Sequence, residues 1–475
     1  MLEGLEATEL MLSTVRQENT KLRLDSAYFA KSMLEAEKVV RSYSSGHDEL
    51  GALFSRFVKG VFDINADCYT DKGVAFLRIL NLKHSVIDES NIALIPESRH
   101  QDEIKTELLR GDIVLSKTAY PAASLVTLDR CNTSQDTIAT TVSAFGRQTY
   151  RPEVIVAYLN CTFGQRLLWR QFQGNVQLHL SLDDGRKVPI PRLGSTLQAG
   201  IAEAFQLADA ANRDAVAQLQ SAETSLTRAL GLENWKAPEP LSYIRSSRHA
   251  FAAGRLDAEH FQEGHYALRE VLTSYRTGYV QLCDLSQKFA NGAEIREYQA
   301  TGTPYLRIGD LKNLSINSGS VVYVDPVAAA EVLDKVRLKT GDVLISRSGS
   351  LAVSAVVERE WESALISSHL IRLRIVDNTF DPYFVALFLK TLPGRMQIMQ
   401  WSNGGVQPEI SQPSLGQLIV PKVKATVQLD IRRRILEAAT ARQRSTDLLN
   451  AAKRAVEIAI EQDEKAAMAY LEANT

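Results

Sequence analysis

Cysteine is scarce in this sequence, and long apolar runs are absent. The 475-residue chain has four cysteines without disulfide-framework or metal-ligand spacing, namely Cys68, Cys131, Cys161 and Cys283. No apolar run approaches the roughly 18 residues of a membrane span. The N-terminus, MLEGLEATEL, has acidic residues where a secretory signal has basic ones. We therefore expect a cytoplasmic protein that keeps its cysteines reduced and does not enter a membrane.

Neither sign of charge is in marked excess. The 54 lysines and arginines nearly balance the 56 acidic residues, which gives a formal net charge of −2. This balance excludes a uniformly basic coat of the kind that binds nucleic acid without sequence preference. Any binding of phosphate must then come from local basic loops.

The motifs of common catalytic sites are also missing. The 26 glycines never occur as Gly-x-Gly, so the dinucleotide fingerprint and the usual glycine loop of a methyl-donor site are absent, as is a Walker A loop. The eight histidines form no metal-spaced cluster. The sequence therefore predicts a chain that is not catalytic by itself and carries no cofactor or metal of its own.

Two fragments keep a catalytic alternative in view. Glu103-Ile104-Lys105 has the Glu-x-Lys pattern of a nuclease site, in which acids hold a metal ion and the lysine assists. The stretch 381–384 (DPYF) is similar to the Asp-Pro-Pro-Tyr of adenine methyltransferases, but it lacks a proline, and a helix N-terminus explains it better. A self-contained metal-dependent nuclease therefore stays open as an alternative.

What the sequence does contain is an internal repeat. The stretch 23–29 (RLDSAYF) has a twin at 255–261 (RLDAEHF), and 111–117 (GDIVLSK) has a twin at 341–347 (GDVLISR). Further landmarks recur at a similar offset of roughly 230 residues. The chain is therefore a tandem duplication of one unit.

Each unit begins with a mixed α/β part. Gly341-Asp342 predicts a turn, 343–345 a buried strand and 346–350 a polar loop. Asp381 is predicted to be the N-cap of a short helix, with Pro382 at its first position.

Each unit ends in a long helix. Residues 195–230 and 426–471 contain no proline, and their apolar positions recur on average about every 3.5 residues, the spacing of a coiled-coil seam. We expect the two helices to pair with each other in antiparallel fashion; the alternative is that each packs only on its own domain. The main seam positions are Ile201, Phe205, Leu219, Leu226, Ile431, Ile435, Leu449 and Val456.

The sequence thus predicts an α/β (α+β) chain of two tandem mixed domains separated by two long helices that form an antiparallel coiled coil. The expected boundaries are an N-terminal segment 1–23, domain 1 at 24–192, spacer helix 193–232, linker 233–254, domain 2 at 255–422 and spacer helix 423–475.

Five motifs of the second unit carry a family resemblance. TPYLRIGDLKN, LKTGDVLISRSGS, ISSHLIRLRI, DPYFVALFLKT and NGGVQPEISQPSLGQLIVPKV resemble the target-recognition domain of specificity (S) subunits of type I restriction-modification enzymes. The first unit is more diverged, with 118–121 (TAYP) in place of the Ser-Gly-Ser loop and 178–180 (LHL) in place of Pro-Glu-Ile. Together with the tandem arrangement and the two helices, the resemblance covers nearly all of the chain.

The resemblance implies a function and partners. Each domain would read one half of a bipartite, asymmetric site in double-stranded DNA, and the helices would set the gap, since 36 residues span roughly 54 Å, on the order of 16 base pairs. Two methyltransferase (M) subunits would dock on the chain, and a nuclease/translocase (R) subunit could join them. S-adenosylmethionine, Mg²⁺ and possibly ATP would belong to those partners. A fused nuclease-methyltransferase partner, or a scaffold that binds only proteins, are the alternatives.

Candidate DNA contacts come from basic and amide side chains at matched positions of the repeat. Lys117 and Arg347 follow the Gly-Asp strand, and Arg78 and Arg307 are predicted to lie within equivalent strands. Arginine can hold guanine with two hydrogen bonds, glutamine can read adenine, and lysine more often contacts phosphate. The full candidate set is Arg78, Lys83, Lys117, Gln177, Arg307, Lys312, Arg347, Ser348, Asn403 and Gln407.

Overall fold

The computed structural model describes residues 8–18, 23–62, 64, 66–174, 177–404 and 407–475. Positions 1–7 and 19–22 of the expected N-terminal segment therefore lie outside the described residues, as do Gly405 and Val406 of the NGGVQ motif. The chain divides into two compact units: unit 1 comprises Met1–Asn212 and Gln443–Thr475, and unit 2 comprises Arg213–Arg442. Each long helix therefore contributes one part to each unit.

Unit 1 contains two four-stranded sheets. The first is antiparallel, with the strand order Phe54–Lys59, Thr137–Val142, Ile113–Ser116, Ala123–Leu125. The second has the order Ala93–Ile95, Val74–Leu77, Arg130–Thr133, Leu108–Leu109, and its middle pair is parallel. Two short antiparallel pairs complete the set, His47–Glu49 with Pro189–Pro191 and Phe172–Gln173 with His179–Leu180.

The helices of unit 1 come before, between and after these strands along the sequence. The described α-helices are Leu12–Glu18, Lys31–Arg41, Glu97–Asp102, Ala144–Thr149, Pro152–Asn160, Thr162–Gln171, Leu182–Arg186 and Glu464–Asn474. Pro152–Asn160 is the central one, because every residue from Val154 onward is buried. Full burial of one large aliphatic or aromatic side chain is worth about 1.5–3 kcal/mol, so this helix contributes strongly to the core.

Unit 2 repeats the plan of unit 1. Its main antiparallel sheet has the order Ala290–Asn291, Leu370–Leu373, Val343–Ser346, Ser354–Val356, and a second sheet has the order Val322–Val324, Thr303–Leu306, Leu365–Ile366. Shorter pairs join Tyr279–Gln281 to Ile419–Pro421 and Leu311–Lys312 to Ser315–Ile316. The described α-helices are Ser247–Ala253, Glu263–Thr273, Leu282–Leu285, Pro326–Val336, Pro382–Lys390, Leu392–Trp401 and Gln412–Gly416.

The Gly-Asp turn shows why the central strand starts where it does in both units. Gly111 and Gly341 have φ of +88° and +85°, a conformation that glycine adopts without strain. The carboxylate of the aspartate that follows bonds to the backbone three residues earlier. Asp112 accepts a hydrogen bond from the Leu109 amide at 3.0 Å, and Asp342 accepts one from the Lys339 amide at 2.8 Å. The strand predicted at 343–345 is confirmed as Val343–Ser346, and all four of its residues are buried.

The short helix at Pro382–Lys390 is confirmed as predicted. Asp381 is its N-cap and accepts a hydrogen bond from the Tyr383 amide at 2.9 Å, with Pro382 in the first turn. A missing N–H costs nothing at that position, which is why proline is tolerated there. This accounts for the DPYF stretch by helix capping.

The two long helices, which we call spacer helix 1 (Ser195–Ala229) and spacer helix 2 (Ala425–Glu461), pack together within each unit. All eight seam positions given above are buried. In unit 2, Ser225 donates to Asp430 at 3.1 Å and Arg434 donates to Gln218 at 3.5 Å. Residue numbers therefore decrease along one helix where they increase along the other, which means that the two helices are antiparallel. The mixed α/β fold and the antiparallel pairing of the helices are therefore confirmed, and the helices also join the core of each unit.

Three details differ from the predictions. Spacer helix 2 ends at Glu461 instead of continuing to 475, because the Asp463 carboxylate accepts the Ala466 amide at 2.8 Å and starts the new helix Glu464–Asn474. The predicted linker 233–254 contains the helix Ser247–Ala253, which ends at Gly254 with φ of +63°.

The third difference concerns the strands of Arg78 and Arg307. Both strands end one residue earlier, and each arginine is the N-cap of a 3-10 turn, Ile79–Asn81 or Ile308–Asp310. The reason is that the side chain three residues on, Asn81 or Asp310, accepts the arginine's own amide and turns the chain.

Candidate nucleic-acid interface

The loop that follows the central strand is held by a serine hydroxyl in both units. In unit 2, Ser346 donates to the Ser350 carbonyl at 2.6 Å and accepts the Val353 amide at 3.0 Å. Ser116 makes the matching bonds in unit 1, to the Tyr120 carbonyl and from the Ala122 amide. A small side chain with one donor and two lone pairs suffices to close this loop, so the residues between remain available for other contacts.

A glycine-containing hairpin lies against this loop. Gly174 and Gly404 have φ of +127° and +100°, and a Cβ on them would lie 2.2 Å and 2.4 Å from the carbonyl oxygens of Gln177 and Gln407. Both conformation and space therefore require glycine at these turns. The turn holds Gln177 and Gln407 exposed at the tip of the hairpin.

Backbone hydrogen bonds join the loop to the hairpin in the same way in each unit. The Leu180 amide donates to the Lys117 carbonyl and the Ile410 amide to the Arg347 carbonyl, both at 2.8 Å. Two positions further along each loop, Ala119 and Gly349 donate to the carbonyls of residues 178 and 408 at 3.1 Å and 3.2 Å. We call the result the loop–hairpin surface. It comprises 116–121 with 172–174 and 177–180 in unit 1, and 346–351 with 402–404 and 407–410 in unit 2.

The loop–hairpin surface of unit 1 is cationic. Lys117 is partly buried, and this burial is the main reason why its pKa is lowered, with the charge of nearby Lys59 as a second cause and Asp136 opposing both. The Lys59 ammonium lies 4.8 Å above the centre of the exposed Phe62 ring. The positive charge of Lys59 acts on Lys117 and is offset only in part by Asp136, so a bound anion would relieve the remaining repulsion.

The loop–hairpin surface of unit 2 has a different chemistry. The Arg347 guanidinium forms an ion pair with Glu409, which lies on the hairpin. Ser348 is buried, and its hydroxyl is 2.6 Å from His369 Nδ1. Asn403 and Glu409 exchange backbone hydrogen bonds of 2.8 Å and 2.7 Å, which close the hairpin. The structure thus brings together four of the candidate residues, Arg347, Ser348, Asn403 and Gln407.

The remaining candidates lie on a second loop of each unit. Arg78 donates to the Asn91 carbonyl at 2.7 Å and stacks on Tyr69, and Arg307 donates to the Ser320 carbonyl at 2.7 Å and stacks on Tyr298. Both guanidinium groups therefore support the backbone of their own loops. The ammonium-bearing neighbours on these loops, Lys83 and Lys312, are exposed.

In unit 1 a tyrosine links this second loop to the loop–hairpin surface. The Tyr120 hydroxyl lies 3.4 Å from the carbonyl oxygens of both Ile79 and Leu82. The candidates of unit 1 thus fall on two adjoining segments instead of on unrelated parts of the domain.

Sequence reasoning missed three contributors to this surface. Glu409 and His369 lie 62 and 21 positions from the residues that they contact, Arg347 and Ser348. Lys59 lies 58 positions from Lys117, on which its charge acts. No pattern among near neighbours in the sequence marks interactions over such separations. Only the position of Glu409, two residues after Gln407 in the quoted motif, offered a signal, because hairpin partners alternate in the direction of their side chains.

The most obvious repeat motif, Arg-Leu-Asp, holds the start of the hairpin. Arg23 donates to the carbonyls of Arg170 and Phe172 at 3.0 Å and 3.2 Å, and Arg255 donates to the Ser402 carbonyl at 2.9 Å. Each arginine also pairs with the aspartate of its motif.

The aspartate completes this arrangement. The Arg255 side chain holds the pKa of Asp257 at about 2, and the Asp257 carboxylate also accepts the His260 amide at 3.3 Å. Asp25 accepts the Tyr28 amide in the same way at 3.0 Å, and its pKa is lowered mainly by Arg23. We call this pair of contacts the Arg-Leu-Asp clamp; it fixes the chain where the hairpin begins.

Glu103 and Lys105 of the nuclease-like fragment pair with each other, with Oε2 and Nζ 3.2 Å apart. No group of three or more His, Cys, Asp or Glu side chains in the described part of the chain is arranged to hold a metal ion. In the same residues, no helix combines the length and apolar character that crossing a membrane requires.

Two solved structures that match most of this chain are an S subunit of a type I restriction-modification system and an HsdS subunit. The S subunit from M. genitalium is 12% identical, with a TM-score of 0.39 over 87% of this chain and 94% of its own. The HsdS subunit from Thermoanaerobacter tengcongensis is 14% identical, with a TM-score of 0.26 over 90% of this chain and 97% of its own. The type IIG restriction endonuclease BpuSI is 11% identical, with a TM-score of 0.29 over 40% of this chain and 29% of its own. No protein-family model and no curated protein matches the chain.

Proposed function

We propose that this chain is the non-catalytic, DNA-specificity subunit of a restriction-modification enzyme, and that each unit reads one half of a bipartite, asymmetric site in double-stranded DNA. The observation that carries the proposal is the loop–hairpin surface. Its backbone hydrogen bonds, serine hydroxyl and hairpin glycine are the same in both units, whereas its outward chemistry is different. Two copies of one backbone framework that carry different base-contacting side chains are suited to recognising two different half-sites.

The groups on this surface are of the types that read duplex DNA. Arginine holds guanine with two hydrogen bonds, glutamine and asparagine pair with adenine, and a glutamate accepts from cytosine. Unit 2 presents Arg347, Gln407 and Glu409 on neighbouring segments. Lys59 and Lys117 of unit 1 are better suited to phosphates, which position the protein without specifying sequence. Because the net charge is −2, such local clusters must supply the affinity.

The spacer helices would set the gap between the half-sites. Spacer helix 1 has 35 residues, a length of about 52 Å, which corresponds to on the order of 15 base pairs. Inserting four residues after Ala215 adds about 6 Å to the helix. We expect the non-specific gap in the recognised sequence to grow by at least a base pair, with both half-sites unchanged; full activity with an unchanged gap would mean that the helices do not set it.

The chemistry would belong to partner subunits in the cytoplasm. We propose two methyltransferase (M) subunits that flip and methylate an adenine with S-adenosylmethionine, and a nuclease/translocase (R) subunit with Mg²⁺ and ATP in the full complex. A single fused nuclease-methyltransferase chain is the other arrangement that this chain could serve.

The test is the methylated motif in a cell that supplies the M subunit. Exchange of domain 1 (24–192) for that of a relative should change one half of the motif and leave the other half and the gap intact, because the base contacts of the two units are independent. A change in both halves would contradict the modular assignment. Metal-dependent cleavage by the purified chain alone would favour the nuclease alternative, and failure to bind DNA with an M subunit present would favour a protein scaffold.

A further inference from the structure

Unit 1 contains a cavity of about 430 Å³ that uses none of the candidate DNA contacts. It lies between the helix Thr162–Gln171 and the last turns of spacer helix 2. The side chains that matter for its chemistry are Gln165, Arg166, Trp169, Asn450, Lys453 and Glu457. Its volume falls within the roughly 300–1,000 Å³ of small-molecule pockets.

The cavity has unneutralised positive charge. Lys453 is half-buried, and burial lowers the pKa of its ammonium while the charge of Glu457 opposes this shift. No carboxylate in the described part of the chain lies close enough to form an ion pair with it. The one acid that lines the cavity, Glu457, is already engaged: it accepts from the amide and hydroxyl of Thr162 at 2.8 Å and 2.6 Å and pairs with Arg454 at 2.9 Å. A partly desolvated cation without an anion is unfavourable, so binding an anion here would remove a cost.

At the equivalent place in unit 2, the lysine is neutralised by an acidic residue of the same unit. There Lys390 and Glu223 form an ion pair with Nζ and Oε1 3.2 Å apart. In the register of the repeat, Glu223 corresponds to Lys453 and Lys390 corresponds to Asn160. The Asn160 side chain is committed to backbone groups of Ala123. The acid of the pair has therefore been replaced by a base in unit 1, and nothing in the described residues has taken its place.

An aromatic ring lies beside this charge. The Trp169 side chain packs on Phe172, with ring centres 5.4 Å apart, yet the residue stays 37% exposed. Its counterpart in unit 2 is Met399, which has no flat face. Arg166 is exposed on the same helix, one turn earlier. A flat ring that lines the same cavity as two cations is the combination that binds a ligand with both an anionic and an aromatic part.

We propose that this cavity binds a nucleoside phosphate, with its phosphate on Lys453 and Arg166 and its base stacked on Trp169. The exposed amide of Asn450 supplies a donor and an acceptor of the kind that a base edge or ribose requires. The half-buried Gln165 adds its side-chain oxygen, since its amide nitrogen donates to the Leu159 carbonyl at 2.8 Å. This site is separate from DNA recognition, because it shares no residue with the loop–hairpin surface, and it stands or falls independently of the proposed function.

The experiment is calorimetric titration of the full-length chain with AMP and with inorganic phosphate. We expect AMP to bind more tightly than phosphate, because only AMP reaches the ring. Lys453→Gln should weaken both ligands by about tenfold or more, a difference that corresponds to about 1.4 kcal/mol. Trp169→Leu should weaken AMP and leave phosphate unchanged. The matched control is Lys390→Gln in unit 2, which should leave AMP binding as it is.

Several outcomes would overturn the proposal. These are absence of AMP binding, equal affinity for AMP and phosphate, and unchanged binding in a folded Lys453→Gln variant. Should that variant fail to fold, Arg166→Gln, at an exposed position, tests the same phosphate contact. Binding of a carboxylate-ended peptide where AMP does not bind would identify the cavity as a protein-docking site instead.

Discussion

The loop–hairpin surfaces of the two units share the same backbone framework but carry different exposed side chains. In unit 1 the charge of Lys59 acts on Lys117, with Asp136 opposing it, whereas in unit 2 Arg347 forms an ion pair with Glu409. The features that are retained are backbone hydrogen bonds, a serine hydroxyl and a glycine at the hairpin turn. These features do not depend on the outward side chains, so the outward side chains were free to diverge. The difference between the units therefore reports on what each unit recognises, and the similarity reports on what holds the surface in place.

The backbone of the two loops shows how far this divergence can go. Position 119 is alanine in unit 1 with φ of +64°, and its counterpart Gly349 has φ of +70°. The left-handed conformation costs an alanine about 1–2 kcal/mol and a glycine almost nothing. The loop keeps its shape in unit 1 despite this cost, because the Ala119 amide is held by the Leu178 carbonyl.

The largest effect is expected from the Arg-Leu-Asp clamp. Arg255→Ala removes a charged hydrogen bond to the Ser402 carbonyl, worth on the order of 1.5–3 kcal/mol. It also removes the pair with the partly exposed Asp257, which solvent screening reduces to about 1 kcal/mol or less. We expect the half-site read by unit 2 to lose specificity and binding by about tenfold or more, and the half-site read by unit 1 to be retained.

The measurement is the methylated motif together with the affinity for duplexes altered in one half-site at a time. Arg23→Ala is the matched variant and should affect only the other half-site. Arg255→Lys should restore the motif in part, since lysine keeps the charge but lacks the fork of donors. Equal losses at both half-sites from either variant would show that the clamp supports only the overall fold.

A smaller effect is expected from Arg347→Ala. If this side chain reads a base, its loss weakens binding to the intact site by about 1–3 kcal/mol and relaxes the motif at one position. The substitution also leaves the Glu409 carboxylate without its arginine partner, and this carboxylate would repel DNA phosphates. The double variant Arg347→Ala/Glu409→Gln removes that repulsion and so isolates the loss of the arginine contact. If both the affinity and the methylated motif are unchanged, Arg347 pairs with Glu409 but does not contact a base.

The smallest effect concerns pH and distinguishes the units directly. Because the pKa of Lys117 is lowered, this ammonium loses its proton at a lower pH than an exposed lysine does, and the neutral amine cannot hold a phosphate. Affinity for the half-site read by unit 1 should therefore fall first as the pH is raised from neutral to alkaline, at constant salt. A guanidinium is not deprotonated in proteins, so the half-site read by unit 2 should respond less. Lys117→Arg should abolish the difference, and a persistent difference would assign it to other groups.

Much of the architecture could be predicted from local and periodic features. The turn at Gly341-Asp342, the buried strand after it and the capped helix at Pro382 each depend on residues within a few positions of one another. The seam of the spacer helices was visible because burial on one helical face imposes a regular spacing, and all eight seam residues are indeed buried. The end of spacer helix 2 at Glu461 was missed, since a single capping aspartate interrupts a pattern that otherwise continues.

The sequence by itself determined the duplication, the alternation of strand and helix in each unit and the pairing surface of the long helices. Only the tertiary structure decided which candidate residues meet. Arg255 and Ser402 are 147 positions apart, and Arg347 and Glu409 are 62 apart. It also showed that Lys390 forms an ion pair with Glu223, whereas among the described residues Lys453 forms none. The physical reason is that periodicity and capping act between near neighbours along the chain, whereas ion pairs and clamps depend on contacts that exist only once the strands and helices have packed.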